Sequence, residues 1–114
     1  MEEKTRYAVK ITPEAEGYYY AVLEYFYEHC SEESAGKKSE ELLELAISLE
    51  KNPTRGRTEE KLKFLGRNHR YILYYYTPGK AIKIIYYIDT ARDTVYVTDF
   101  FPCKSNDKKI SKRS

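Results

Sequence analysis

A chain of 114 residues, 41% hydrophobic and 33% charged, is long enough for one two-layer core and too short for a separate cofactor domain. That composition excludes a disordered polymer, and the charges that interrupt every apolar run argue against a membrane span. The net charge of +2 conceals a division: residues 1–60 carry 14 acidic and 8 basic side chains, residues 61–114 carry 4 acidic and 12 basic. A basic second half points to a polyanion-facing surface there, against the plainer alternative of charge scattered over a soluble exterior.

Arg6 to Ile11 alternates and predicts a half-buried strand. Thr12-Pro13-Glu14 predicts a helix start, with Thr12 as N-cap, Pro13 in the first turn and Glu14 near the positive end of the dipole. Ala15, Tyr19, Val22, Phe26 and Cys30 recur at helical spacing and mark its buried stripe. Ser31 to Ser34 breaks the pattern, and a second helix begins within that break or just after it, with Ala35, Leu42, Leu43, Ala46 and Leu49 on its apolar side, ended by Asn52-Pro53. Thr54 to Glu60 reads as a loop. Three aromatic and β-branched runs come next, Phe64 to Thr77, Ala81 to Ile88 and Thr94 to Phe101. Thr77-Pro78-Gly79-Lys80, placed as a type II turn prefers, separates the first two, and residues 89–93 separate the last two.

The expectation is an α+β fold with the order β-α-α-β-β-β: an antiparallel sheet of about four strands, covered on one face by an N-terminal helical hairpin. Residues 1–103 form the domain, and 104–114 a polar, basic C-terminal tail. Strand phase then separates the faces. Ile82, Ile84, Tyr86 and Ile88, Val95 and Val97, and Tyr71, Leu73 and Tyr75 are expected beneath the helices. Arg70, Tyr74, Tyr76, Lys83, Tyr87, Tyr96 and Lys10 are expected on the open face, and Asp99 on the inner phase.

Cations interleaved with aromatic rings are what single-stranded nucleic acid asks for: Lys and Arg neutralise phosphates and Tyr rings stack on bases. On that ground Lys10, Tyr74, Tyr87 and Tyr96 are candidate RNA contacts. Tyr is also a strong strand former, so many of the 13 tyrosines serve structure alone. His69, beside Arg70, is the one imidazole placed to act as a general base; His29 lies at a helix end, where the dipole accounts for it. Open-face carboxylate pairs, Gly-rich phosphate loops and Ser–His–Asp patterns are missing from the sequence. Nuclease chemistry here would therefore use Lys or Arg to stabilise charge on a phosphate attacked by a ribose 2′-OH. Cys30 and Cys103 provide neither a disulfide framework nor a Cys-x-x-Cys pair, so neither a metal nor a cofactor is expected. The start Met1-Glu2-Glu3-Lys4 lacks the basic-then-apolar order of a signal peptide, and a cytoplasmic location is the expectation.

Four stretches taken together resemble the RelE/ParE superfamily, the toxins of bacterial type II toxin–antitoxin pairs of the plasmid-stabilisation type. YAVKITPEAEG (Tyr7 to Gly17) is similar to the family's opening strand and helix. LEKNPTRGR (Leu49 to Arg57) resembles the stretch that ends its second helix. IKIIYYID (Ile82 to Asp89) resembles its central strand, and TVYVTDFFPCKSNDKKI (Thr94 to Ile110) its last strand and following basic segment. The resemblance implies a toxin with an antitoxin partner. RelE-like members are endoribonucleases that cleave mRNA on the ribosome, and that is the first expectation here; carried across, Arg70, Lys83 and Lys104 would hold the phosphate, with His69 or a lysine as base. Lysine stands at 83 and 104 where the family has arginine, and no tyrosine follows Tyr96. ParE-like members instead inhibit DNA gyrase without catalysis of their own, and a degenerate member would only bind its antitoxin.

Overall fold

The computed structural model describes residues 6–103. Strand β1 (Ala8–Ile11) leads into helix α1 (Pro13–His29), whose N-cap Thr12 accepts a hydrogen bond from the Ala15 backbone at 3.1 Å. Helix α2 (Glu32–Ile47) starts inside the polar break, capped by Ser31 through the Ser34 amide at 3.1 Å. Its end runs through a 3-10 turn (Ser48–Glu50) to Asn52, which takes a left-handed conformation before Pro53. The strands that follow are β2 (Arg57–Thr58), β3 (Arg70–Thr77), β4 (Lys80–Asp89) and β5 (Thr94–Pro102). Gly79 has φ 80°, the left-handed value that a type II turn needs at that position.

The fold is α+β, with the helical hairpin against one face of the sheet. The sheet order is β1-β5-β4-β3-β2. The meander β3-β4-β5 is antiparallel, while β1 pairs parallel with β5 and makes the sheet mixed. The fifth strand, β2, lies in the stretch expected to be a loop and pairs only with Arg70 and Tyr71. The run expected to be strand from Phe64 onward begins six residues later. Glu60–Leu65 is a 3-10 helix, ended by left-handed Gly66 (φ 73°) and followed by left-handed Asn68 (φ 56°). Such backbone cannot continue a strand.

Beneath the helices, Ala15, Val22, Phe26, Ala35, Leu42 and Ala46 meet Ile82, Ile84, Tyr86, Val95 and Val97. The expected phase of β4, and of β5 up to Val97, holds. That of β3 is reversed: Ile72, Tyr74 and Tyr76 join this core, and Tyr71, Leu73 and Tyr75 turn to the other face with their register partners Ile85, Lys83 and Ala81. The cause lies in the sequence Tyr71 to Tyr76, six apolar or aromatic residues with no polar member to set the alternation. Asp99 is also corrected. Val97 pairs with Tyr86 and Asp99 with Ile85, so Thr98 is an inserted bulge residue. The bulge reverses the alternation beyond it. Phe100 enters the helix-side core, and Asp99 and Phe101 go to the outer face.

Candidate nucleic-acid interface on the outer sheet face

The outer face divides into a covered half and an open half. The covered half lies under the 3-10 helix Glu60–Leu65. Leu62 is its apolar anchor and packs with Ile85, Phe101 and Tyr71. Beside that anchor, Glu59 Oε1 meets Lys83 Nζ at 2.8 Å, and Glu59 Oε2 accepts the Lys61 amide at 3.1 Å. Lys83 Nζ also stands 4.3 Å from the centre of the Tyr71 ring. Glu59, Lys83, His69 and Asp99 are 3%, 9%, 4% and 2% exposed, so four ionisable groups are withdrawn from water on this face. A buried charge persists only when it is compensated, and the Glu59–Lys83 pair does that for two of them.

His69 sits where the chain enters β3, its ring edge-on to Tyr87 with centroids 5.2 Å apart. Its Nδ1 is buried and meets no hydrogen-bond partner among the described residues. Burial pushes the imidazole below its ordinary range; the Arg67 charge adds to this and Glu59 opposes it. His69 is therefore neutral at pH 7.

The open half is a groove of about 710 Å³ between the Gly66–Asn68 loop and the β4–β5 turn, with Tyr87 and Tyr96 in its lining. The two rings lie 5.3 Å apart at 31°. The Arg67 guanidinium stands 4.9 Å over the Tyr87 ring and donates to the Tyr87 hydroxyl at 2.6 Å. Arg92 and Asp89 line the far wall, their charged ends 3.7 Å apart. Lys10 is the register partner of Tyr96 on β1 and adds an exposed cation to the same face.

The predicted site residues are thus only partly assembled. Lys10, Tyr87 and Tyr96 come together as expected, and His69 lies behind Tyr87. Lys83 is on the outer face but covered and ion-paired. Arg70 is on the opposite face: it pairs with Tyr86 and donates to the Thr54 and Gly56 carbonyls at 3.1 and 2.9 Å. Arg70 and Lys83 therefore cannot grip one phosphate. Tyr74 is corrected likewise. It is buried against the helices and its hydroxyl donates to Glu41 at 2.6 Å; burial, then that bond, raises its pKa. Lys104 and the basic tail lie outside the described residues.

Arg67, Arg92 and Glu59 were missed in the sequence. Arg92 sits in a turn, where no strand phase assigns it a face, and Arg67 falls in the run expected to be strand, where the backbone instead bends between left-handed Gly66 and Asn68. Glu59 lies in the polar stretch Thr54 to Glu60, where the sequence carries no strand or helix phase. Among the described residues, no helix is long and apolar enough to cross a membrane, and no group of three or more His, Cys, Asp or Glu could hold a metal ion. No protein-family model, curated protein or solved structure matches the chain.

Proposed function

We propose that this protein is a toxin of the RelE/ParE kind, acting in the cytoplasm with a cognate antitoxin, and that it works by binding its target rather than by cutting RNA. The element order and the one-sided helical hairpin agree with the sequence resemblance. The observation that carries the choice of mode is the separation of Arg70 from Lys83: one braces a loop on the helix side, the other is neutralised by Glu59 on the outer side. The resemblance assigns one phosphate to Arg70 and Lys83 together, and this pair diverges. A ParE-like block of DNA gyrase needs no such convergence.

Exposed Tyr20 and Tyr27 on α1, with Ile47 at the end of α2, offer apolar anchors for an antitoxin segment that folds as it binds. Tyr18, Tyr19 and Tyr25 on the same helix are half-buried against the core.

The deciding experiment is induction of the chain in growing bacteria, with mRNA 5′ ends mapped and gyrase supercoiling assayed in vitro. Growth arrest with intact mRNA is the expected result, with inhibited supercoiling pointing to the gyrase target. Ribosome-dependent cleavage would overturn the binding mode, and normal growth would overturn the toxin reading. One observation favours the cleaving alternative: His69 is held neutral beside Tyr87, the protonation state of a general base.

A further inference from the structure

The outer face presents two unusual constructions, the covered Glu59–Lys83 pair and the open Tyr87–Tyr96 groove. The first is internally compensated. The second ends in unused chemistry. The hydroxyl of Tyr87 engages a single Arg67 nitrogen, Nη1, and the guanidinium carries five N–H donors in a rigid fork. The side chain is exposed, and no described residue takes up its other donors. Arg67 is thus oriented by its ring contact and hydroxyl bond, and it remains able to grip a phosphate in two places.

The rings set what else fits. Tyr87 has Arg67 on its face and His69 at its edge, so it is already packed. Tyr96 is the half-buried ring beside it, at the lip of the groove. A flat aromatic ligand entering there meets Tyr96 while its charge meets Arg67. Charge complementarity points the same way. Arg67 and Arg92 line the groove and Lys10 lies beside Tyr96, against one carboxylate, Asp89, that already faces Arg92.

We infer that this groove binds single-stranded nucleic acid, with one unstacked base against Tyr96 and the adjoining phosphates on Arg67, Arg92 and Lys10. The inference goes beyond the toxin reading, which gives this groove no role, and names the chemistry recognised there. Duplex does not fit the requirement, because its bases are already stacked on one another. RNA and DNA single strands share the chemistry; the experiment separates them.

The test uses the full chain and fluorescein-labelled ten-nucleotide strands of RNA and of DNA, with matched duplexes, read by fluorescence anisotropy at two salt concentrations. Wild type binds single strands more tightly than duplex. Tyr96→Leu weakens binding about tenfold through lost stacking. Arg67→Gln weakens it and lowers the salt slope by about 0.7 for one lost phosphate contact. Tyr87→Phe keeps the ring, removes the hydroxyl that orients Arg67, and has a smaller effect of the same sign. Arg57→Gln, at the far edge strand, leaves affinity unchanged. The chain has no tryptophan, so Tyr96→Trp places a single indole in the groove. Its fluorescence is quenched when a base stacks, which supplies a second reading should Tyr96→Leu fold poorly.

Binding that survives both Tyr96→Leu and Arg67→Gln overturns the inference, as does equal affinity for duplex or an unquenched Tyr96→Trp at saturating strand. Growth arrest without any single-strand binding overturns this inference alone and leaves the toxin reading intact. Groove-dependent binding without a growth defect supports this inference and removes the toxin reading.

Discussion

The two faces of the sheet are built on different principles. The helix-side face is a continuous apolar layer: Phe26, Leu42, Ile84, Val97 and Phe100 are fully buried, and α1 and α2 span it. The outer face is shielded by a six-residue 3-10 helix with one apolar anchor, Leu62, and it buries ionisable groups beside that anchor. Stability is concentrated where burial is apolar, because charge taken out of water gains little net free energy even when paired. Reachable cations and aromatic rings gather on the other side. Arg70 illustrates the distinction. It is a cation on the stable face, and its Nη1 is committed to two backbone carbonyls.

Substitutions can break or sharpen this contrast. The largest effect is expected on the helix side: Phe26→Ala should lose about 3–5 kcal/mol in denaturant unfolding, the cost of a large cavity. A loss under 1 kcal/mol would mean that the hairpin is not the main core.

Next comes the covered pair. Glu59→Gln should lose about 3 kcal/mol, since it leaves Lys83 buried without this carboxylate. The double change Glu59→Gln with Lys83→Met should recover most of that. If the double variant is as unstable as the sum of the single ones, the pair is not coupled and the account of the covered half is wrong.

A smaller effect belongs to the loop between the faces. Tyr86 bridges it, its hydroxyl donating to the Pro53 carbonyl and accepting from the Gly56 amide at 3.1 Å. Tyr86→Phe should lose about 1–2 kcal/mol. Gly56→Ala should be worse than an ordinary surface Gly→Ala, because its Cβ would stand 2.3 Å from that hydroxyl. Equal stability of Gly56→Ala and wild type in thermal unfolding would count against this packing.

The mildest expectation is a pH effect. His69 is harder to protonate in the folded chain than its ordinary value of 6.5, chiefly through burial. The unfolded chain therefore takes up this proton first. His69 costs nothing above pH 6.5, and stability declines as pH falls below it until the folded imidazole protonates too. Unfolding curves from pH 7.5 to 5 should show that decline in wild type and less of it in His69→Leu. Identical slopes would show that His69 is not shielded.

Much of this architecture is legible in the sequence. The helix start at Thr12 is written in its capping residues, and the helical stripe and the β4 alternation are written in apolar spacing, because both signals depend on near neighbours. The phase of β3 is not written locally. Its six consecutive apolar or aromatic residues satisfy either face, and pairing with β4 decides between them. The Thr98 bulge is equally silent, since one extra residue in a ladder is defined only against the partner strand.

Composition and periodicity by themselves determined the α+β class, the helical hairpin and the gathering of tyrosines and cations in the second half of the chain. Tertiary structure alone decided which cations work together. It set Arg70 against the loop on one face, closed Glu59 over Lys83 on the other, and brought Arg67 from a turn onto the ring of Tyr87. The reason is physical: a side chain's face follows from strand pairing and its charge state from burial, and both are relations between residues far apart in sequence.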